Sequence, residues 1–176
     1  GKIKMSKAWN CQRHTHRRPV ADAPVPAGVK DDMWLGPAFP RGGFNPNRFH
    51  GNWNWYRDFG NGDIGGDGIH DIDMARWGLG VTTHPVRVTS HGSRIDLEGE
   101  REFPDTMTVA YHYEEGKVLL YEDRGWTPYG TYGYDSCNAF YGTEGWLLFT
   151  RSGYFQTYLG PKEEKGTGFK GGAGHP

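Results

Sequence analysis

Apolar and polar residues alternate with a period of two from residue 86 onward, and this alternation constrains the fold more than any other feature of the chain. It predicts six strands, near residues 86–95, 107–113, 118–123, 138–141, 146–150 and 154–158. Turn-forming residues fill 114–117 and 142–145, so the strands that flank each turn are expected to pair antiparallel. Residues 2–9 predict a further strand, because Ile3, Met5 and Trp9 share one parity.

The segment between the first strand and the alternating region predicts a long loop followed by one helix. Repeated prolines exclude long helices from residues 17–60, and aromatic and apolar anchors predict that this loop is ordered: Met33, Trp34, Leu35, Phe44, Phe49, Trp53 and Trp55. Asp63 is expected to cap a helix that stops near Gly78 and Gly80. Its apolar side is expected to carry Ile69, Ile72, Met74, Ala75, Trp77 and Leu79. These elements predict the α+β class: a largely antiparallel open sheet with one face covered by helix and long loops.

The composition fits one domain and excludes several classes of partner. We expect residues 1–160 to form the domain and residues 161–176 a glycine-rich tail. A net charge of −1 argues against nucleic acid and anionic membranes, and no stretch approaches the roughly 18 apolar residues of a membrane span. Cys11 and Cys137 follow no disulfide framework and are expected to be free thiols. No secretory leader opens these residues, which favours the cytoplasm; an export signal would lie upstream.

The predicted helix carries a candidate acid–base group around His70. Residues three, four or seven positions apart share a helix face, so Asp63, Asp67 and Asp73 can all line up with His70. A carboxylate beside an imidazole orients the ring and raises its basicity, as proton transfer requires. The alternative is a helix N-terminus that carries Asp because the macrodipole favours negative charge there. The neighbouring glycines, Gly65, Gly66 and Gly68, favour a site, because small residues leave room for a ligand.

The loop before the helix predicts contacts with a polyhydroxylated ligand. Polar side chains alternate there with flat aromatic rings, a combination that suits the hydroxyls and C–H faces of a sugar. The candidate substrate-binding residues are Asn45, Arg48, His50, Trp53, Trp55, Arg57 and Asp73. In the alternative interpretation, Trp53 and Trp55 pack against the sheet and their polar neighbours face water.

Two other motifs point to different chemistry. Gly60, Gly62 and Gly65 match the dinucleotide fingerprint G-x-G-x-x-G, but an aromatic and charged segment precedes them where a buried parallel strand is required. We therefore reject a nucleotide site at these glycines. Cys11, His14 and His16 form a C-x2-H-x-H cluster, yet no second ligand pair stands at a familiar spacing, so no metal is predicted.

Residues 55–80 resemble the signature of the second domain of the glucose-fructose oxidoreductase, inositol dehydrogenase and MocA family. The family carries an Arg-Asp lead-in, a glycine triplet, a Gly-x-His and a trailing carboxylate, which match Arg57, Asp58, Gly60, Gly62, Gly68, His70 and Asp73. FYGTEGWL at residues 140–147 is similar to the family's G-T-E-G hairpin. One position departs from the pattern: the family's Asp four residues before the histidine is Gly66 here, and Asp67 stands one place later.

The resemblance implies the substrate and oligomerisation half of an NAD(P)-dependent oxidoreductase. In such enzymes an N-terminal Rossmann domain supplies the NAD or NADP site and a catalytic lysine, and neither is found in these 176 residues. His70 would take the proton of a sugar, polyol or glycoside hydroxyl, with Asp67 and Asp63 as its carboxylate partners. The implied partners are the substrate, a Rossmann domain in the same or a separate chain, and further copies of this chain bound through the face of the sheet.

Three hypotheses for function remain open at this point. The first is this substrate-binding and catalytic half, inactive without a dinucleotide-binding domain. The second is a carbohydrate-binding or oligomerisation module that has lost the cofactor domain and catalyses nothing. The third is metal-dependent hydrolysis at Cys11, His14 and His16, which predicts activity that a chelator abolishes.

Overall fold

The computed structural model describes residues 1–39 and 42–171, which form one eight-stranded sheet with short helices on one side. Its helices are α1 (Asp31–Leu35), two 3-10 helices (Pro46–Arg48 and His50–Trp55), α2 (Asp63–Gly66) and α3 (Gly68–Leu79). Its strands are β1 (Ile3–Asn10), β2 (Arg87–Ser93), β3 (Thr106–His112), β4 (Val118–Arg124), β5 (Ser136–Gly142), β6 (Gly145–Phe149), β7 (Phe155–Leu159) and β8 (Glu164–Phe169). No helix in the described ranges combines the length and the apolar character needed to cross a membrane.

The sheet is open, and its strand order is β2-β3-β4-β1-β5-β6-β7-β8. Strands β2, β3 and β4 pair antiparallel in sequence order, and so do strands β5 to β8. Strand β1 lies between the two groups, parallel to β4 and antiparallel to β5. This arrangement confirms the predicted α+β class. All seven strands expected from the alternation are present, with bounds within about two residues.

The central strands bury a core on each face of the sheet. On one face, Ala8, Leu119 and Tyr121 pack against Ala75 and Leu79 of α3. On the other face, Trp9, Cys11, Cys137, Ala139 and Leu148 form a second cluster, which aromatic rings of the β5–β7 region surround. Cys11 and Cys137 are both buried, and both are free thiols, as predicted.

The predicted helix differs from the observed one in continuity and in its buried face. The chain breaks into α2 and α3 at Asp67, where φ is −117°. Gly68, Asp71, Ala75 and Leu79 face the sheet, while two residues assigned to the apolar side, Ile69 and Trp77, are 49% and 82% exposed. Ala75 and Leu79 are thus buried as expected, whereas Gly68 and Asp71 complete the sheet-facing stripe in place of Ile69 and Trp77.

The glycines at this break allow other side chains of the protein to lie close to the backbone. A Cβ at Gly68 would collide with the hydroxyl of Tyr121, and one at Gly65 would collide with the side chain of Asn61. The sequence correctly signals close approach to this backbone. The groups that approach at these two positions belong to the chain itself.

The predicted glycine-rich tail contains the last strand. Glu164–Phe169 forms β8, in which Gly166 and Gly168 lie against the side chains of Thr157 and Gln156. Glycines leave no apolar alternation in the sequence, which explains why this strand was not predicted. Residues 172–176 lie outside the described residues, and the domain boundary at residue 160 stays a prediction.

Candidate functional site

The candidate site is a groove between the first turns of α3, the start of β5 and the turn that links β6 to β7. Its volume is about 990 Å³. It is lined by Gln12, Ile69, His70, Asp73, Met74, Tyr134, Asp135, Ser136, Thr150, Arg151 and Ser152. His70 and Asp73 are both exposed on this wall, since a spacing of three residues places them on the same side of the helix. Hydroxyls, a carboxylate and an imidazole thus meet beside the apolar side chains of Ile69 and Met74.

Arg151 ties the β6–β7 turn to the start of α3. Its Nε and Nη2 donate to the two carboxylate oxygens of Asp71 at 3.0 and 2.5 Å. Its Nη1 donates to Asp67 Oδ1 at 2.8 Å, and Nη2 also donates to the Asp67 backbone carbonyl at 3.0 Å. Ser136 Oγ donates to Asp71 Oδ2 at 2.8 Å. Because Asp71 is fully buried, its burial raises the pKa of the carboxyl, and the bonds from Arg151 and Ser136 oppose that shift.

Asp67 and Asp63 bind side chains from the end of β1. Asp67 Oδ2 accepts hydrogen bonds from Asn10 Nδ2 at 2.9 Å and from Gln12 Nε2 at 3.0 Å. Asp63 is buried, and its Oδ2 lies 3.0 Å from His14 Nε2. The His14 ring in turn packs edge-on against Trp55, with 4.8 Å between ring centroids. His14 and Asp63 therefore form a histidine–carboxylate pair at the start of α2, outside the residues that line the groove.

Asp123 adds a further carboxyl to this interior. It is 1% exposed on β4, and its Oδ1 finds no hydrogen-bond partner in the part of the chain that the structure describes. Burial, followed by the charges of Asp63, Asp105 and Asp67, raises the pKa of Asp123 to about 8. The carboxyl is therefore protonated at neutral pH, which relieves repulsion among the neighbouring carboxylates.

The two motifs set aside in the sequence analysis can now be examined in the fold. A 3-10 helix and a turn precede Gly60, in place of the buried parallel strand that a dinucleotide fingerprint requires, and Gly62 packs against Phe103. Within residues 1–39 and 42–171, no three His, Cys, Asp or Glu side chains are placed to hold a metal ion. Of the C-x2-H-x-H cluster, Cys11 is buried, His14 contacts Asp63, and His16 Nδ1 accepts from the backbone of Glu98.

Comparison with known proteins identifies the family. The profile of the GFO/IDH/MocA C-terminal domain matches residues 39–148, more than half of the chain. The chain belongs to this family. The resemblance in the signature around His70 is thereby confirmed. A search of curated proteins found no match to the sequence.

Solved structures share the fold of this GFO/IDH/MocA domain. A levoglucosan dehydrogenase in complex with NADH and levoglucosan is 19% identical, with a TM-score of 0.59 over 98% of this chain and 40% of its own. The same enzyme with NADH gives a TM-score of 0.60 at 19% identity, over 100% of this chain and 41% of its own. An NAD-binding oxidoreductase from Klebsiella pneumoniae is 17% identical, with a TM-score of 0.57 over 98% and 40%. The chain thus spans about two fifths of the length of these structures.

The predicted site residues do not all lie together in the GFO/IDH/MocA domain. His70 and Asp73 share the groove, and Asp67 reaches it through Arg151. The loop residues lie elsewhere: Asn45 and Arg48 line a small pocket of about 80 Å³ with Trp34, Phe44 and Phe49. The remaining loop candidates are distributed between surface and core: His50, Trp53 and Arg57 are exposed, while Trp55 is buried.

Several residues of the groove were not predicted from the sequence. Arg151, Ser136 and Gln12 are far from His70 along the chain, and only the pairing of β1, β5 and β6 brings them together. Asp71 directly follows His70, and a spacing of one residue does not predict a shared helix face. Its spacing of three residues from Gly68, which is also buried, is the signal in the sequence that could have indicated its position.

Proposed function

We propose that this domain is the substrate-binding half of an NAD(P)-dependent oxidoreductase that acts on a hydroxyl of a sugar, polyol or glycoside. The observation that carries the proposal is the exposed His70 imidazole on the wall of a groove lined by hydroxyl, amide and carboxylate groups. Such groups match the hydroxyls of a polyol, while Ile69 and Met74 offer surface to its C–H faces. Membership of the family and a structural neighbour described with levoglucosan support the same substrate class.

In this proposal His70 accepts the proton of the substrate hydroxyl. An imidazole nitrogen can accept that proton, and Asp73 on the same side of α3 can hold a neighbouring hydroxyl. The roles predicted for Asp67 and Asp63 stay predictions, because the hydrogen bonds of their carboxylates run to Arg151, Asn10, Gln12 and His14. We propose that they act by fixing the start of α3.

The cofactor of the proposed reaction is NAD or NADP, bound mainly by a dinucleotide-binding domain in the same or a separate chain. That cofactor supplies the redox chemistry, and the residues of this domain bind and orient the hydroxyl. We expect this chain alone to have no dehydrogenase activity. We also propose self-association through the sheet face, which an apolar groove of about 420 Å³ beside Trp77, Leu147 and Phe149 supports.

A binding experiment tests the role of His70. Isothermal titration of the chain with levoglucosan and with myo-inositol should show binding to at least one, and His70→Ala should weaken it about tenfold through loss of a hydrogen bond. His91→Ala is the matched control, because His91 is also exposed but lies on the edge strand β2. Equal affinity of both variants would contradict the proposed role.

The second candidate is a carbohydrate-binding or oligomerisation module without catalysis. The observation that favours it is the engagement of Asp67 by three side chains, together with Gly66 at the family's carboxylate position. A separately expressed dinucleotide-binding domain of the family and NAD distinguish the two candidates. NADH formation that His70→Ala abolishes supports the first candidate. Sugar binding that is indifferent to both NAD and His70→Ala supports the second.

A further inference from the structure

The groove contains one arginine whose donors point into the protein. Of the described residues that line the groove, Arg151 is the one lysine or arginine. A guanidinium has five N–H donors, and four of those of Arg151 are used by the Asp71 carboxylate, the Asp67 carboxylate and the Asp67 carbonyl. The two-pronged face that would grip a carboxylate or phosphate group on a ligand is occupied by Asp71.

The charge around the groove is negative. Arg151 is outnumbered by Asp67 and Asp71, which bind it, and by two further carboxylates, Asp73 and Asp135, which are exposed at the rim. An anionic ligand would therefore meet unpaired negative charge without gaining a cation. A neutral polyol has no such penalty, and the carboxylates at the rim can accept hydrogen bonds from its hydroxyls.

We propose that Arg151 is a positioning residue and that the groove takes uncharged polyols while it discriminates against anionic sugars such as uronates and sugar phosphates. This inference rests on the proposed function of the groove. It goes further by assigning the charge class of the substrate. Repulsion by two rim carboxylates at several ångströms, in a solvated groove, corresponds to a discrimination on the order of fivefold at low salt.

The experiment compares ligands of the same shape and different charge. The chain is titrated with D-glucuronamide and D-glucuronate, and with D-glucose and glucose 6-phosphate, at about 20 and about 200 mM NaCl. The neutral member of each pair should bind about fivefold more tightly at low salt. Added salt should strengthen binding of the anion, because it shortens the Debye length, which is about 10 Å at 0.1 M, and so screens the repulsion more strongly. If Arg151 gripped the anion, salt would weaken that binding.

A variant tests whether the exposed carboxylates at the rim cause the preference for neutral ligands. Asp135→Asn removes one rim charge with little change of shape, so the preference for glucuronamide over glucuronate should fall by about half. Asp96→Asn, an exposed change in the loop after β2, is the control and should leave the preference unchanged.

Each outcome has a defined meaning. Anions that bind as tightly as their neutral partners, or that bind less tightly as salt is added, overturn the charge preference and leave the polyol proposal standing. Failure of every neutral ligand to bind overturns the polyol proposal, and the inference falls with it.

Discussion

The groove beside α3 and the loop of residues 42–57 carry similar mixtures of polar and aromatic side chains, yet these side chains differ in what they contact. At the groove, His70 and Asp73 are exposed, and Arg151 binds the buried carboxylate of Asp71 beside them. In the loop, Asn45 is buried and donates to the Val20 carbonyl and to Asp22 Oδ1 at 2.9 and 3.0 Å. The comparison teaches that a polar residue in the sequence can serve the fold as well as a site: the amide of Asn45 holds the loop together, whereas His70 and Asp73 face the groove.

Removal of the Arg151 guanidinium should have the largest effect on stability. Arg151→Met leaves the fully buried Asp71 without its cationic partner, so the free energy of unfolding should fall by about 3 kcal/mol. Denaturant unfolding measures the change. Arg87→Met, an exposed substitution on β2, is the control and should change it by less than about 0.5 kcal/mol. Equal effects would mean that the network does not hold α3 in place.

The Asp123 carboxyl should make stability depend on pH in a defined direction. Its pKa is raised to about 8 in the folded protein. The stabilisation that this carboxyl gives to the fold is therefore fully present below the unfolded pKa of about 4 and is lost as the pH rises through 8. Asp123→Asn removes this dependence. The variant should gain on the wild type by about 4 kcal/mol between pH 5 and pH 8.5, measured by denaturant unfolding, because each pH unit between 5 and 8 changes the difference by about 1.4 kcal/mol. Parallel pH profiles would contradict the raised pKa.

Asn45→Ala tests whether the loop residue is structural. Loss of its side-chain bonds to Val20, Asp22 and the Asn47 amide should lower the free energy of unfolding by about 1 kcal/mol. Thr83→Ala, an exposed change in the turn before β2, is the control and should leave the stability unchanged. Unchanged stability together with lost sugar binding would instead support the predicted role of Asn45 in substrate binding.

His70→Ala should have the smallest effect on stability. An exposed residue on a helix wall contributes little to folding, and alanine favours the helix, so the change should stay within about 0.5 kcal/mol. Thermal unfolding beside the His91→Ala control measures it. A larger loss would show that the imidazole packs into the protein, and the groove would then lack its proposed base.

The sequence predicted most of the sheet, whereas the roles of the site residues stay predictions. Strands β1 to β7 follow from alternation, which is a local signal, and the free thiols follow from cysteine spacing. The parallel pairing of β1 with β4 is a long-range contact that no local pattern encodes. Strand β8 was missed because Gly166 and Gly168 erase the alternation.

The same distinction explains the candidate site. Helical spacing correctly placed His70 beside Asp73, because both positions depend only on the geometry of one helix. The hydrogen bonds of Asp67 and Asp63 run to Asn10 and His14, which lie at or just after the end of β1 and more than 45 positions away in sequence. Arg151 comes from 80 positions beyond Asp71, so only the folded sheet reveals it.

Mapping a bound polyol by nuclear magnetic resonance tests the central claim most directly. Backbone and histidine side-chain resonances of the chain are followed during titration with levoglucosan and myo-inositol. The account predicts that the largest shifts occur at His70, Asp73, Ser136 and Ser152 around the groove, with little change in residues 42–57. Shifts confined to residues 42–57, or no shifts with either polyol, would contradict it.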